Sequence, residues 1–158
     1  MLTPPALSER LSRILSLIPQ DARVADIGTD HGYLPLHLII RGTEKVICCD
    51  VAAEPLEKAR RNLRRFGYTA DFRLGDGLAC VAPGEADYIV IAGMGGETIA
   101  KILENSEWPR GGHTYILQPM SKGERLCGYL SLAGYTVTGQ FIVSEKGRLR
   151  TVLVCKYV

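Results

Sequence analysis

The sequence predicts a doubly wound α/β fold, a seven-stranded sheet that is mostly parallel, with helices on both faces and an antiparallel last strand. Three observations carry this. Short apolar runs alternate with helical segments between residues 23 and 134. Those runs are almost continuously apolar, as strands covered on both faces are. The last two runs, 136–145 and 151–157, alternate in polarity around a turn and read as an antiparallel hairpin. A chain of 158 residues can bury one continuous core, so residues 1–158 are expected to form a single domain.

Each element follows from its pattern. Leu7, Leu11, Ile14, Leu15 and Ile18 are spaced for one face of an N-terminal helix, which Pro19 stops. RVADIG (23–28) is a buried strand. LPLHLIIRG (34–42) is a helix with Pro35 in its first turn, where the missing N–H costs nothing. KVICCDV (45–51) is the second strand. In EPLEKARRNLRRFG (54–67), Leu56, Ala59, Leu63 and Phe66 share a helical face that Gly67 ends. ADFRLGDG (70–77) gives a short third strand, followed by a brief helix to Pro83. ADYIVIAGMGG (86–96) holds the most apolar strand and closes in glycines. ETIAKILENS (97–106) is helical, HTYILQP (113–119) is the fifth strand, and GERLCGYLSLAG (123–134) is a helix ended by Gly134. The hairpin strands are joined by KGRLR (146–150).

Composition bounds the function classes. Hydrophobic content of 46% with 23% charged residues is that of an ordinary globular protein. A net charge of +2 leaves attraction to nucleic acid to local clusters. No apolar run approaches the roughly 18–20 residues that cross a bilayer, and the first residues lack signal-peptide features, so a cytoplasmic location is expected. The five cysteines are odd in number and form no CxxC pair, and the three histidines are scattered. Neither a disulfide framework nor a metal site is expected.

Ligands of doubly wound sheets sit beyond the carboxyl ends of the strands. Three acidic residues fall at such ends. Asp26 ends the first strand, before Gly28. Asp50, followed by Val51, ends the second and is placed to accept both hydroxyls of a ribose. Asp76, followed by Gly77, succeeds the third and is placed to accept from an adenine amino group. Each alone could be a helix cap. Gly28 and Gly32 would let a ligand approach the backbone. The first loop offers G-x-x-x-G in place of G-x-G-x-x-G, which disfavours a pyrophosphate and with it a dinucleotide-binding Rossmann domain. S-adenosylmethionine (SAM) carries no phosphate, and class I SAM methyltransferases end in a hairpin whose last strand inserts antiparallel. Gly93, Met94 and Gly95 in AGMGGE then face the cofactor, with Gly96 and Pro119 on the substrate side. Gln118 either bonds a base edge or ties down its own loop.

DIGTDHGYLP, GDGL, ADYIVIAGMGG and ILQPM, in this order and spacing, resemble the bacterial tRNA adenine-22 N1-methyltransferases, over about residues 7 to 157. The resemblance implies a class I fold, SAM as cofactor, N1 of a tRNA adenine as acceptor, and no membrane or metal. Members of that family usually carry a further helical, coiled-coil-like segment thought to help hold tRNA; this sequence stops at Val158 just after the final strand. In that setting Asp30 would stabilise the cationic ring formed on methylation, His31 would support it or close over the cofactor, and Tyr33 would stack on the base. Lys58, Arg60, Arg61, Arg64 and Arg65, with Arg10 and Arg13, supply a candidate RNA surface, although Glu54 and Glu57 are positioned to neutralise part of it. A SAM methyltransferase for another substrate and a SAM-binding module without turnover are the alternatives.

Overall fold

The computed structural model describes residues 2–158. Helix α1 (Glu9–Ser16) precedes β1 (Val24–Ile27), α2 (Tyr33–Ile40), β2 (Val46–Asp50), α3 (Ala53–Arg65) and β3 (Asp71–Leu74). Two 3-10 turns lead to β4 (Tyr88–Gly95), α4 (Gly96–Glu104), β5 (Thr114–Ser121), α5 (Gly123–Ala133), β6 (Tyr135–Glu145) and β7 (Arg148–Tyr157). The seven strands form one sheet in the order β3-β2-β1-β4-β5-β7-β6. β1 to β5 are parallel, and β7 runs antiparallel between β5 and β6. The predicted sheet and its antiparallel insertion are therefore present.

The chain leaves β1 in one direction towards β3 and in the other towards β5, which puts helices on both faces. On one face Ile14 of α1, Leu34 and Leu38 of α2 and Leu56 of α3 pack on Val24, Val46 and Val90. On the other, Ile99 and Leu103 of α4 and Leu126 and Leu130 of α5 cover Ile27, Ile89 and Leu117. β1 is buried at all four positions, in keeping with its unbroken apolar run.

Three local departures from expectation have physical causes. Helix α1 is shorter than its apolar pattern, because Ser8 caps it and Leu7 lies outside; Ile18 is buried beyond its end. The hairpin turn has two residues instead of five: Lys146 (φ 51°) and Gly147 (φ 75°) both take positive φ, and pairing resumes at Glu145–Arg148. Two successive positive φ values are the turn geometry that suits the twist of a two-residue hairpin. In β4 the register shifts on both sides of Met94 opposite Gln118 and Pro119. Pro119 has no N–H for the ladder, and Gly93 bulges with φ 78°.

β5 pairs with β7 only up to Leu117–Leu153, whereas β6 and β7 stay paired to Glu145–Arg148. The hairpin thus reaches past the carboxyl edge of the parallel strands, and Glu145 at its tip meets α1.

Candidate functional site

A cavity of about 610 Å³ opens at the carboxyl ends of β1, β2 and β4. That size lies within the roughly 300–1,000 Å³ typical of cofactor clefts. Asp26, Gly28, Asp30, His31 and Tyr33 line it from the first strand end, Asp50 and Val51 from the second, Asp76 and Gly77 from the third, and Gly93 and Met94 from the fourth. The three carboxylates predicted at successive strand ends therefore share one space.

Their environments differ. Asp26 is buried and accepts a hydrogen bond from Thr29 Oγ1 at 2.9 Å. Burial pushes its carboxyl up to about 7, only partly offset by the Thr29 hydroxyl. Asp50 lies in the rim: Oδ1 accepts the Ala52 amide at 3.0 Å and Oδ2 the Asp30 amide at 3.4 Å. It closes the turn ahead of α3, whose N-cap is Ala52, and is not the helix cap that the sequence left open. Asp76 precedes a 3-10 turn without capping it, so its carboxylate stays available.

Asp30 has φ 54°, a left-handed conformation tolerated by aspartate and held here by the hydrogen bond that its backbone N–H donates to Asp50 Oδ2. Its side chain is largely exposed, with Oδ2 3.8 Å from His31 Nε2. The His31 ring sits 5.6 Å from that of Tyr33, and the His31 carbonyl accepts from Asn62 Nδ2 of α3 at 2.8 Å. Gly28 is favoured by its φ of 76°, and an added Cβ would meet only Met94 Cε, the end of a flexible side chain that can move aside.

Other predicted residues lie outside the cavity lining. Gly32 (φ 76°) is turned to α3, where a Cβ would stand 2.8 Å from the Ala59 Cβ; it serves helix packing. Gly95 and Gly96 pack against Ser121 and Lys122. Gln118, fully buried, bonds to the protein through both ends of its amide: Oε1 accepts from Gly93 N at 3.1 Å and Arg10 Nη1 at 3.2 Å, while Nε2 donates to the Pro119 carbonyl at 2.9 Å. Of the two readings left open for Gln118, the structure favours the tie within the loop. Pro119 borders a separate groove with Met120 and Leu149.

Sequence reasoning missed one wall entirely. Ala6, Leu7, Ser8, Arg10 and Leu11 close the cavity from the N-terminal side, and Thr98 and Ile102 of α4 from another. The N-terminal strap is held down by the His37 Nε2–H bond to the Pro5 carbonyl at 2.7 Å. Arg10 was placed on an RNA-facing surface, but its guanidinium turns inward to Gln118 and to Glu145, 3.3 Å away. The pairing links positions 135 residues apart and leaves no local signal. On α3, Arg60 pairs with Glu57 and lies over Phe72; among the described residues Glu54 has no ion pair.

Among the described residues no group of three His, Cys, Asp or Glu comes together to hold a metal, and no helix is long and apolar enough to cross a membrane. All five cysteines are free.

Comparison with known proteins adds an independent line. The chain is 36% identical to a tRNA (adenine(22)-N(1))-methyltransferase of Bacillus subtilis over 95% of its own length and 65% of that protein. It thus spans somewhat less than two thirds of this relative. The crystal structure of the B. subtilis m1A22 tRNA methyltransferase matches with a TM-score of 0.89 and 35% identity, over 97% of this chain and 67% of that one. A candidate tRNA (m1A22) methyltransferase of Streptococcus pneumoniae, solved in complex with S-adenosyl-L-methionine, matches with a TM-score of 0.87 and 32% identity, over 96% and 73%. Residues 7–153 match the methyltransferase-domain family across nearly the whole sheet, and the chain belongs to that family.

Proposed function

We propose that this chain is a SAM-dependent methyltransferase acting on N1 of an adenine in tRNA, at position 22. The observation that carries the reading is the convergence of Asp26, Asp50 and Asp76 on one cavity beside the glycine turn of β4. The B. subtilis and S. pneumoniae relatives support the acceptor. A tRNA substrate supports a cytoplasmic location.

The donor set suits the cofactor. Asp76, followed by Gly77, accepts from the adenine amino group. Asp50, beside Val51, takes the ribose hydroxyls. Asp26, Gly28, Gly93 and Met94 surround the methionine end. When bound, SAM supplies a methyl carbon on a sulfonium sulfur, which the N1 lone pair takes in line while the C–S electrons return to sulfur. N1 needs no prior deprotonation, so no general base is assigned. The work of the protein is positioning, which removes entropy from the barrier. Asp30, held by the Asp50 contact and flanked by His31, places a carboxylate where the adenine becomes cationic. Tyr33 offers a ring face to a base flipped from its stack.

The test is incubation with labelled SAM and unmodified bacterial tRNA, followed by digestion to nucleosides. Label is expected in N1-methyladenosine and absent when adenine 22 is replaced by guanine. Tight SAM binding with no label on RNA would discard the tRNA reading and leave a SAM-binding module or another acceptor.

A further inference from the structure

We propose that the tip of the β6–β7 hairpin docks the sugar-phosphate backbone of the RNA substrate, with Lys146 and Arg148 as its phosphate contacts. The inference rests on the tRNA reading above and names a surface which that reading leaves open.

The tip stands beside the cavity mouth. Leu153 of β7 pairs with Leu117 of β5, which is level with Ile91 of β4 and Ile27 at the end of β1. From Leu153 the hairpin continues to Arg148, a run of about 17 Å beyond that level at strand rise. Glu145 at the tip lies 3.3 Å from Arg10, and Arg10 Nη1 would stand 3.6 Å from a Cβ on Gly93. One side chain therefore separates the tip from the cavity, and an RNA delivering a base there has to lie across this rim.

The charges at the tip are unspent. Glu145 opposes Arg148 in the hairpin register, but it is turned to Arg10, which leaves Arg148 without its cross-strand partner. Among the described residues none of Arg13, Lys146, Arg148 and Arg150 is in an ion pair. Glu9 shares a groove with Arg13 and Glu124 one with Arg150, without pairing. Lys146 and Arg148 are exposed. With a net charge of only +2, attraction to phosphate has to come from such a local cluster. On the opposite face of the hairpin, Leu149 and Ile142 are largely exposed beside Ser144 and Thr151, an apolar surface for ribose and base edges. An anionic lipid surface would share this chemistry; the place of the tip at the cavity mouth favours RNA.

Fluorescence anisotropy on unmodified bacterial tRNA, over a range of salt, compares the wild type with the double variant Lys146→Ala/Arg148→Ala. A second double variant, Lys45→Ala/Lys156→Ala, removes the same charge from the amino edge of the sheet. Circular dichroism and calorimetric binding of S-adenosylhomocysteine (SAH) check the fold and the cavity. Two phosphate contacts, each adding about 0.7–0.9 to the salt slope, predict roughly 25- to 60-fold weaker tRNA binding by the tip variant at 0.1 M salt. Its slope should be shallower by about 1.4–1.8. The amino-edge variant should change far less. Equal losses in the two variants would assign the effect to overall charge and overturn the inference, as would a tip variant that binds like the wild type. Loss of binding to phosphatidylserine vesicles with tRNA affinity intact would give the tip to a membrane instead. Should the double variant not fold, Lys146→Asn, which suits the left-handed turn, decides by the same comparison. A wild type that binds SAH but no tRNA would strike the tRNA reading itself and the inference with it.

Discussion

The amide of Gly93, in the bulge of β4, donates to Oε1 of the buried Gln118 side chain of β5 at 3.1 Å. One side-chain oxygen thus satisfies the Gly93 amide that the bulge takes out of the β4–β5 ladder, and it accepts from Arg10 as well. Gln118→Ala should destabilise the protein by about 1–3 kcal/mol, through lost hydrogen bonds and an unfilled space. Equilibrium urea unfolding checks this. A midpoint unchanged from wild type would remove Gln118 from the account of the β4 turn.

Asp30 and Asp50 are joined through the Asp30 amide yet are assigned different tasks. Asp50→Ala is expected to raise the KM for SAM by about tenfold or more with a smaller change in kcat, since it removes ribose contacts. Asp30→Ala should do the reverse, lowering kcat with SAM affinity nearly intact. Equal losses in both parameters for Asp30→Ala would place that residue with the cofactor.

The raised Asp26 carboxyl makes a signed statement about stability. Its folded-state value of about 7 lies above the ordinary 3.8, so the folded protein holds this proton longer than the unfolded chain. The stabilisation is complete below the ordinary value and is lost as pH rises through about 7. Glu85, held down to about 2 by Arg73, and Asp87, lowered by Arg23, contribute in the opposite sense, but theirs is already saturated above pH 5.5. Between pH 5.5 and 8 the ligand-free protein should therefore lose stability through Asp26, and Asp26→Asn should flatten the decline. Thermal unfolding at four or five pH values gives the slope; a parallel decline in wild type and variant would contradict the assignment.

Gly32→Ala should lower stability by about 1–3 kcal/mol without a direct effect on cofactor contacts. Its φ of 76° strains an alanine, and the new methyl would meet the Ala59 Cβ and Leu63 Cδ1 across the α2–α3 contact. A lower Tm with unchanged SAH affinity is the expected pair of results. An unchanged Tm accompanied by weaker binding would return Gly32 to the cofactor loop.

What could be read from the sequence was whatever repeats locally. Continuous apolar runs disclosed β1, β2, β4 and β5, and alternation disclosed the hairpin. Strand-end position disclosed Asp26, Asp50 and Asp76, because chain order and sheet order coincide at those strands. Gly28 and Gly32 look equivalent in a string, yet one borders Met94 in the cavity and the other Ala59 on a neighbouring helix. Gln118 was recognised as a site candidate, but its partners Gly93 and Arg10 lie 25 and 108 residues away, so its inward orientation was not legible. The same holds for Arg10, whose counter-charge sits at the far end of a hairpin. A pattern along the chain records burial; it does not record which distant group a polar side chain will meet.

The placement of β7 between β5 and β6 also orders events during synthesis. Every residue named in the cofactor reading has been synthesised by the time α4 is made. The open edge of β5 then waits for a partner that is translated last, and β6 cannot take its place because it has to stand one strand further out. An unpaired edge carrying Tyr115, Ile116 and Leu117 is a template for wrong pairing, and the delay lasts until residues 148–157 emerge. Nascent chains halted before Arg148 would hold the complete set of cofactor residues on an unfinished sheet, and the closing strand would decide whether that sheet persists or aggregates.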